Sequence, residues 1–169
     1  MIKSKRTKTF YLTFVTIILL ILFTIVFIEL VKENLHKSKS FLEISILIIL
    51  LLSTIILAVQ KFYRDSKTIT VDKSSKIISF EDYIFKRKIV YSFKNLDGYV
   101  TGRFISENRQ LTKVIWIVQK NKMIERINEN YVANINEIEN ELKELKYLGY
   151  QSIHNMKRIK MIFTNLEIE

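Results

Sequence analysis

From Phe10 to Ile28 the chain reads FYLTFVTIILLILFTIVFI, nineteen residues interrupted only by threonines. At about 1.5 Å of rise per residue, such a run spans roughly 28 Å, close to the hydrocarbon thickness of a bilayer. A second run of the same length, Phe41 to Val59, carries one charge, Glu43, near its end. Neither run places polar residues at the helical period, so as a soluble helix each would need burial on every side, and a chain this small has too little protein to bury them. The pattern predicts a transmembrane hairpin over 10–59, with helices at about 10–31 and 41–60. The short segment Lys32–Ser40 forces an antiparallel return, which puts both chain ends on one side. A cleaved signal peptide is disfavoured, because the first apolar run exceeds the usual ~7–15 residues and no small-x-small site follows it. Glu29 and Glu43 lie near the loop-side ends of the spans, where their carboxylates can reach the interface.

Past a juxtamembrane connection at 60–67, the unbroken apolar runs give way to short alternating stretches separated by polar turns. β-Branched and aromatic residues predict strands over 68–71, 77–85, 88–93, 99–105, 112–119 and 123–127, at hairpin spacing. Gly98 supplies positive φ to the turn at 95–98, and Gly102, inside a strand, suggests a bulge or sharp bend. The even spacing favours an antiparallel meander curled into a barrel or two packed sheets. One helix over 135–148 closes the pattern. Asn134 is its expected N-cap with Glu137 as capping-box partner, Ile135, Ile138, Leu142, Leu145 and Leu148 form its apolar stripe, and Gly149 is its expected C′ residue. These readings divide the chain into a basic N-terminal segment 1–9, the hairpin, a β-domain over 68–149, and a basic tail 150–169. A fragment over 66–169 is expected to fold on its own.

Composition narrows the chemistry. The 169 residues contain no cysteine, which excludes a disulfide scaffold, a CxxC redox centre and a thiolate metal site. Proline is absent and glycine occurs three times, which excludes glycine-rich phosphate loops. The net charge of +10 would suit nucleic acid. Residues 68–169, however, hold 17 basic against 13 acidic side chains, only +4, with no recognition helix or aromatic strand motif to display them, so no nucleic-acid partner is expected. Lys3, Lys5, Arg6, Lys8, Lys61, Arg64 and Lys67 flank the outer ends of the spans, against Lys32, Lys37 and Lys39 in the connecting loop. This bias predicts that both termini and the β-domain are cytoplasmic.

The segment VYSFKNLDGYV (Val90–Val100) resembles the strand and F-x-x-[IL]-x-G turn of bacterial pleckstrin-homology-like (PH-like) domains, which are often found behind a transmembrane hairpin. INENYVANINEIENELKEL (Ile127–Leu145) is similar to the final strand, connection and capping helix of that family. The resemblance covers 67–148 and implies a mainly-β PH-like split barrel capped by a C-terminal helix. In lipid-binding eukaryotic members the first hairpin is densely basic. Here it carries only Lys73 and Lys76, so phosphoinositide recognition is not carried over.

No catalytic constellation, cofactor site or metal site emerges. The two histidines, His36 and His154, fall on opposite sides of the expected membrane, and Glu81 and Asp82 point to opposite faces of a strand. Basic residues remain as candidates for contact with the membrane surface: Lys61, Arg64 and Lys67 after the second span, and Lys86, Arg87 and Lys88 at a hairpin tip, for which a solubilising turn with scattered surface charge is the simpler reading. The expectation is a non-enzymatic binding or scaffolding module anchored in the lipid bilayer of a bacterial inner or cell membrane and engaging a protein or peptide partner. The alternative is a non-catalytic subunit or regulator of a membrane transport or envelope complex, its contacts made mainly by the hairpin. A homo-oligomer stays open.

Overall fold

A computed structural model of the chain describes residues 1–35, 41–105 and 111–152. It divides into two compact units: Tyr11–Phe62, and a second unit made of Met1–Phe10 together with the chain from Tyr63 onward.

The first unit holds most of two helices, α1 (Lys8–Leu35) and α2 (Phe41–Asp65). Each is long and apolar enough to cross a membrane. Both extend a few residues past the apolar runs, because Lys, Glu, Gln and Arg continue a helix at little cost once it is nucleated. Leu12, Leu19, Phe23, Leu50 and Ile56 are all exposed. Four helix hydroxyls are satisfied within their own helices: Thr16 Oγ1 donates to the Leu12 carbonyl, Thr24 Oγ1 to Leu20, and Ser53 Oγ and Thr54 Oγ1 to Leu50. Glu29 pairs with Lys32 at 2.7 Å on the surface of α1. The side chains of Glu43 and His36 lie outside the described residues.

In the second unit, β1 (Ile2–Lys3), β2 (Thr68–Asp72), β3 (Ile77–Glu81) and β4 (Lys88–Ser92) form one antiparallel sheet in that order. The strands β5 (Gly98–Ile105), β6 (Leu111–Gln119), β7 (Lys122–Asn128) and β8 (Tyr147–Ser152) form another, in the order β7-β6-β5-β8. These are two separate four-stranded sheets, and no closed barrel is formed among the described residues. Alternation does its expected work in β2, where Ile69 and Val71 are buried between the partly exposed Thr68, Thr70 and Asp72. The core lies between the sheets. Ile69, Val71, Ile78 and Phe80 from one meet Tyr99, Ile115, Ile117 and Ile127 from the other.

Helix α3 (Ile135–Leu142) adds Ile135, Ile138 and Leu142 to that core. It is shorter than the expected 135–148. After Leu142 the chain turns, with the Leu145 N–H donating to the Leu142 carbonyl at 2.8 Å, and then runs parallel to β5 as β8. Leu145 still reaches the main core, whereas Leu148 packs with Val100, Val114 and Trp116 in a second cluster. Gly149 (φ +113°) is therefore a residue of β8 and not a helix C′ cap. Gly102 sits at no bulge of the β5–β6 ladder, where it pairs with Val114 in continuous register. Its role is close approach: a Cβ there would lie 2.4 Å from the Gln151 carbonyl oxygen and 2.6 Å from Trp116 Cζ3. Gly98 opens β5 at φ +152°, and a Cβ there would meet the Lys146 carbonyl oxygen at 2.1 Å.

Three further expectations change. The strand expected to run from 77 to 85 stops at Glu81, and residues 83–85 form a turn. The N-terminal segment is part of the β-rich unit. Ile2 and Lys3 pair with Val71 and Thr70, Arg6 bridges Val132, and Phe10 is fully buried. Asn134 precedes α3 without capping it through its side chain. Instead its Oδ1 accepts from the Lys5 N–H at 2.7 Å, and its Nδ2 donates to the Lys3 carbonyl at 3.1 Å and to Glu137 Oε2 at 3.2 Å. The link at 106–110, between the strands expected over 99–105 and 112–119, and the tail from 153 lie outside the described residues.

Candidate membrane-facing site

Helix α1 starts inside the β-rich unit. Phe10 is enclosed there by the edges of Tyr83 and Tyr131, at centroid distances of 5.0 and 6.5 Å. The Arg6 guanidinium stacks over the Phe10 ring at 4.4 Å, and its Nη2 donates to Thr68 Oγ1 at 2.8 Å. Rings and a cation of this kind suit the boundary between an apolar span and a polar domain.

Helix α2 ends in the same unit, in a network of charges. Tyr63 Oη donates to Asp82 Oδ2 at 2.8 Å. The Asp65 carboxylate is buried and accepts from Arg126 Nε at 2.6 Å, from Arg126 Nη2, and from Asn128 Nδ2 at 3.3 Å. Lys67 Nζ lies 2.7 Å from both oxygens of Glu125, with the two side chains 13% and 5% exposed. Burial pushes the Glu125 carboxyl up from its usual value, and the Lys67 ammonium opposes that shift without cancelling it. Tyr91 is pushed up to about 12, first by burial and then by its closeness to Glu125. A carboxylate cost of this kind is tolerated when each oxygen has a partner, and the network fastens the end of α2 to β7.

The six expected surface cations therefore separate. Lys67 is turned inward onto Glu125, so its ammonium is committed to the fold. Arg64 is partly buried, in electrostatic reach of Asp65 and Arg126, and Lys61 is partly exposed in the two-helix unit. Lys86 and Arg87 on the connection between β3 and β4, and Lys88 at the start of β4, stay exposed together. That connection is closed by bonds from Asp82 N–H to the Arg87 carbonyl and from Lys86 N–H to the Asp82 carbonyl, with Lys86 at φ +56°. It also presents two apolar side chains that the sequence reading had assigned to a strand: Ile84, 48% exposed, and Phe85, 64% exposed. The Phe85 ring meets the Tyr63 ring at 6.0 Å, and the Arg87 guanidinium lies over the Phe85 ring at 5.9 Å. The signal for this tip was Asp82, whose side chain is drawn to Tyr63 and breaks the run IISFEDYIF. Among the described residues, no three His, Asp or Glu side chains gather as metal ligands.

No protein-family profile, curated protein or solved structure matches this chain.

Proposed function

We propose that this chain is a membrane-anchored, non-enzymatic binding or scaffolding module. Its β-rich unit is a PH-like domain held at the inner face of a bacterial membrane, where it takes a protein or peptide partner. The observation that carries this reading is the edge of β4, the last strand in its sheet, which pairs with no further strand among the described residues. The bonds Asp82 N–H to Arg87 and Phe93 N–H to Lys76 set the phase of the β3–β4 ladder. In that phase the N–H groups of Lys88 and Val90 point away from β3, toward the open side. The side chains of Lys88, Ile89 and Val90 are exposed beside them. An extended peptide that adds to such an edge gains main-chain hydrogen bonds, and tethering raises its effective concentration when it belongs to a membrane neighbour.

The test uses the full chain in its membrane, with a photo-crosslinking residue at Ile89 or at the lipid-facing Leu50. Capture of one discrete protein from position 89, abolished by Val90→Pro, supports edge binding, because proline removes a donor on the open side while the β3–β4 ladder stays intact. Capture from position 50 alone overturns it in favour of a subunit or regulator whose contacts run through the hairpin.

A further inference from the structure

We infer that the β3–β4 connection is a wedge that enters the headgroup layer of an anionic bilayer, with Ile84 and Phe85 inserted and Lys86, Arg87 and Lys88 on the phosphates. The inference rests on the reading that α1 and α2 span the membrane. Its basis is where the connection is fastened. Tyr83 packs on Phe10, the residue just before the apolar unit begins, at 5.0 Å. Asp82 and Phe85 engage Tyr63, the residue just after that unit ends, at 2.8 and 6.0 Å. Once the spans are in lipid, both of these roots lie at the interface by covalent continuity. A connection bound to both is held at the same level.

The two ends of β3 make the assignment specific. At one end, the turn between β2 and β3 reads Lys73-Ser74-Ser75-Lys76 and carries no apolar side chain. At the other, two large apolar side chains stand exposed among three cations. Exposed Ile and Phe beside Lys and Arg form the composition that settles into a headgroup layer, with rings at the acyl boundary and cations outward. Lys86 Nζ already lies over the Tyr83 ring at 5.0 Å and Arg87 over the Phe85 ring at 5.9 Å, so the cations are gathered around the apolar pair. A purely electrostatic contact would fade at high salt, whereas insertion of the apolar pair persists.

The absence of cysteine in the chain makes single-cysteine labelling direct. Ile84→Cys, Leu50→Cys and Ser75→Cys, each carrying a bimane, are reconstituted as full chains in vesicles of brominated phosphatidylcholine with phosphatidylglycerol. The expected result is loss of fluorescence at positions 50 and 84, retained at high salt, and none at 75. Quenching at 50 with none at 84 overturns the wedge while leaving the spans in place, and points to a protein-facing tip. Quenching at 84 that disappears at high salt overturns insertion in favour of surface attraction. No quenching at 50 overturns the spanning reading itself, and the wedge with it.

Discussion

The two units of this chain draw on the same aliphatic residues and dispose of them in opposite ways. In the two-helix unit, Leu12, Leu19, Leu50 and Ile56 are exposed, and its ion pair, Glu29 with Lys32, is 66% and 63% exposed. In the β-rich unit, Ile69, Ile78, Ile115 and Ile127 are inaccessible, and the ion pairs at the end of α2 are inside, with Asp65 1% and Arg126 12% exposed. The helices satisfy their backbones locally and need only an apolar solvent, whereas the sheets must exclude water through partners distant in sequence. A charge therefore means different things in the two units. On the surface of α1 it is a minor contact, and under the end of α2 it is a condition of folding.

The sharpest way to break that contrast is to delete one charge in each unit. Asp65→Ala leaves the Arg126 guanidinium buried without its carboxylate and is expected to cost about 3–5 kcal/mol, read from thermal unfolding of the full chain in detergent. Adding Arg126→Met to Asp65→Ala should recover much of that loss, since an apolar replacement removes the stranded cation. Lys32→Ala, which opens the exposed pair, should change stability by less than about 1 kcal/mol. Equal effects at the two sites would mean that the Asp65 network is solvated. A fragment over 66–169 would lack Asp65, Phe10 and the β1 strand, all part of the β-rich unit, and is therefore expected to be less stable than the full chain.

Steric dependence separates the units next. Gly102→Ala forces a methyl against the Gln151 carbonyl and the Trp116 ring at 2.4 and 2.6 Å. A backbone neighbour cannot rotate aside, so the expected cost is about 3 kcal/mol. A wild-type melting temperature for this variant would show that β8 is free to move away from β5.

These sites mark how far the sequence was legible. The two long helices were readable because an unbroken apolar run forms a helix with its hydrogen bonds closed locally and needs no partner distant in sequence. Strands β2 to β7 were found to within a few residues by alternation, except where Asp82 ended β3. Leu142 and its neighbours Ile135 and Ile138 were correctly placed on the buried stripe, because helical spacing survives over two turns. Leu145 and Leu148 kept the same spacing, yet the chain had already left the helix, so periodicity could not distinguish α3 from the start of β8. Strand β1 is two residues long and its partners are Thr70 and Val71, beyond what a local pattern can report. Glu125 was overlooked for a related reason. A register shift beside Ile117 and Val118 turns Met123 to the second cluster while Ile127 faces the main core, so simple alternation along β7 misassigns the faces. Of the six expected surface cations, Lys67 could not be told from its neighbours by type, because its role is set by Glu125 across 58 positions of sequence.

Asn134 gives the smallest effect and the finest discrimination. Its identity suggested a helix N-cap, a role that aspartate fills as well as asparagine. The structure uses it as a clamp, receiving the Lys5 N–H and donating from Nδ2 to the Lys3 carbonyl and to Glu137. Asn134→Ala should cost about 1–2 kcal/mol, because the Lys5 N–H and the Lys3 carbonyl lose their partner at a site where Asn134 itself is buried. Asn134→Asp is the deciding variant. A carboxylate keeps the acceptor for Lys5 but cannot donate, and it faces the Lys3 carbonyl oxygen and the Glu137 carboxylate across roughly hydrogen-bonding distance, so it should be no better than alanine at neutral pH and should recover as the medium is acidified and the carboxyl regains a donor. If aspartate instead matches asparagine in thermal unfolding, the residue is a cap after all, and the N-terminal segment is held by β1 and Phe10 without it.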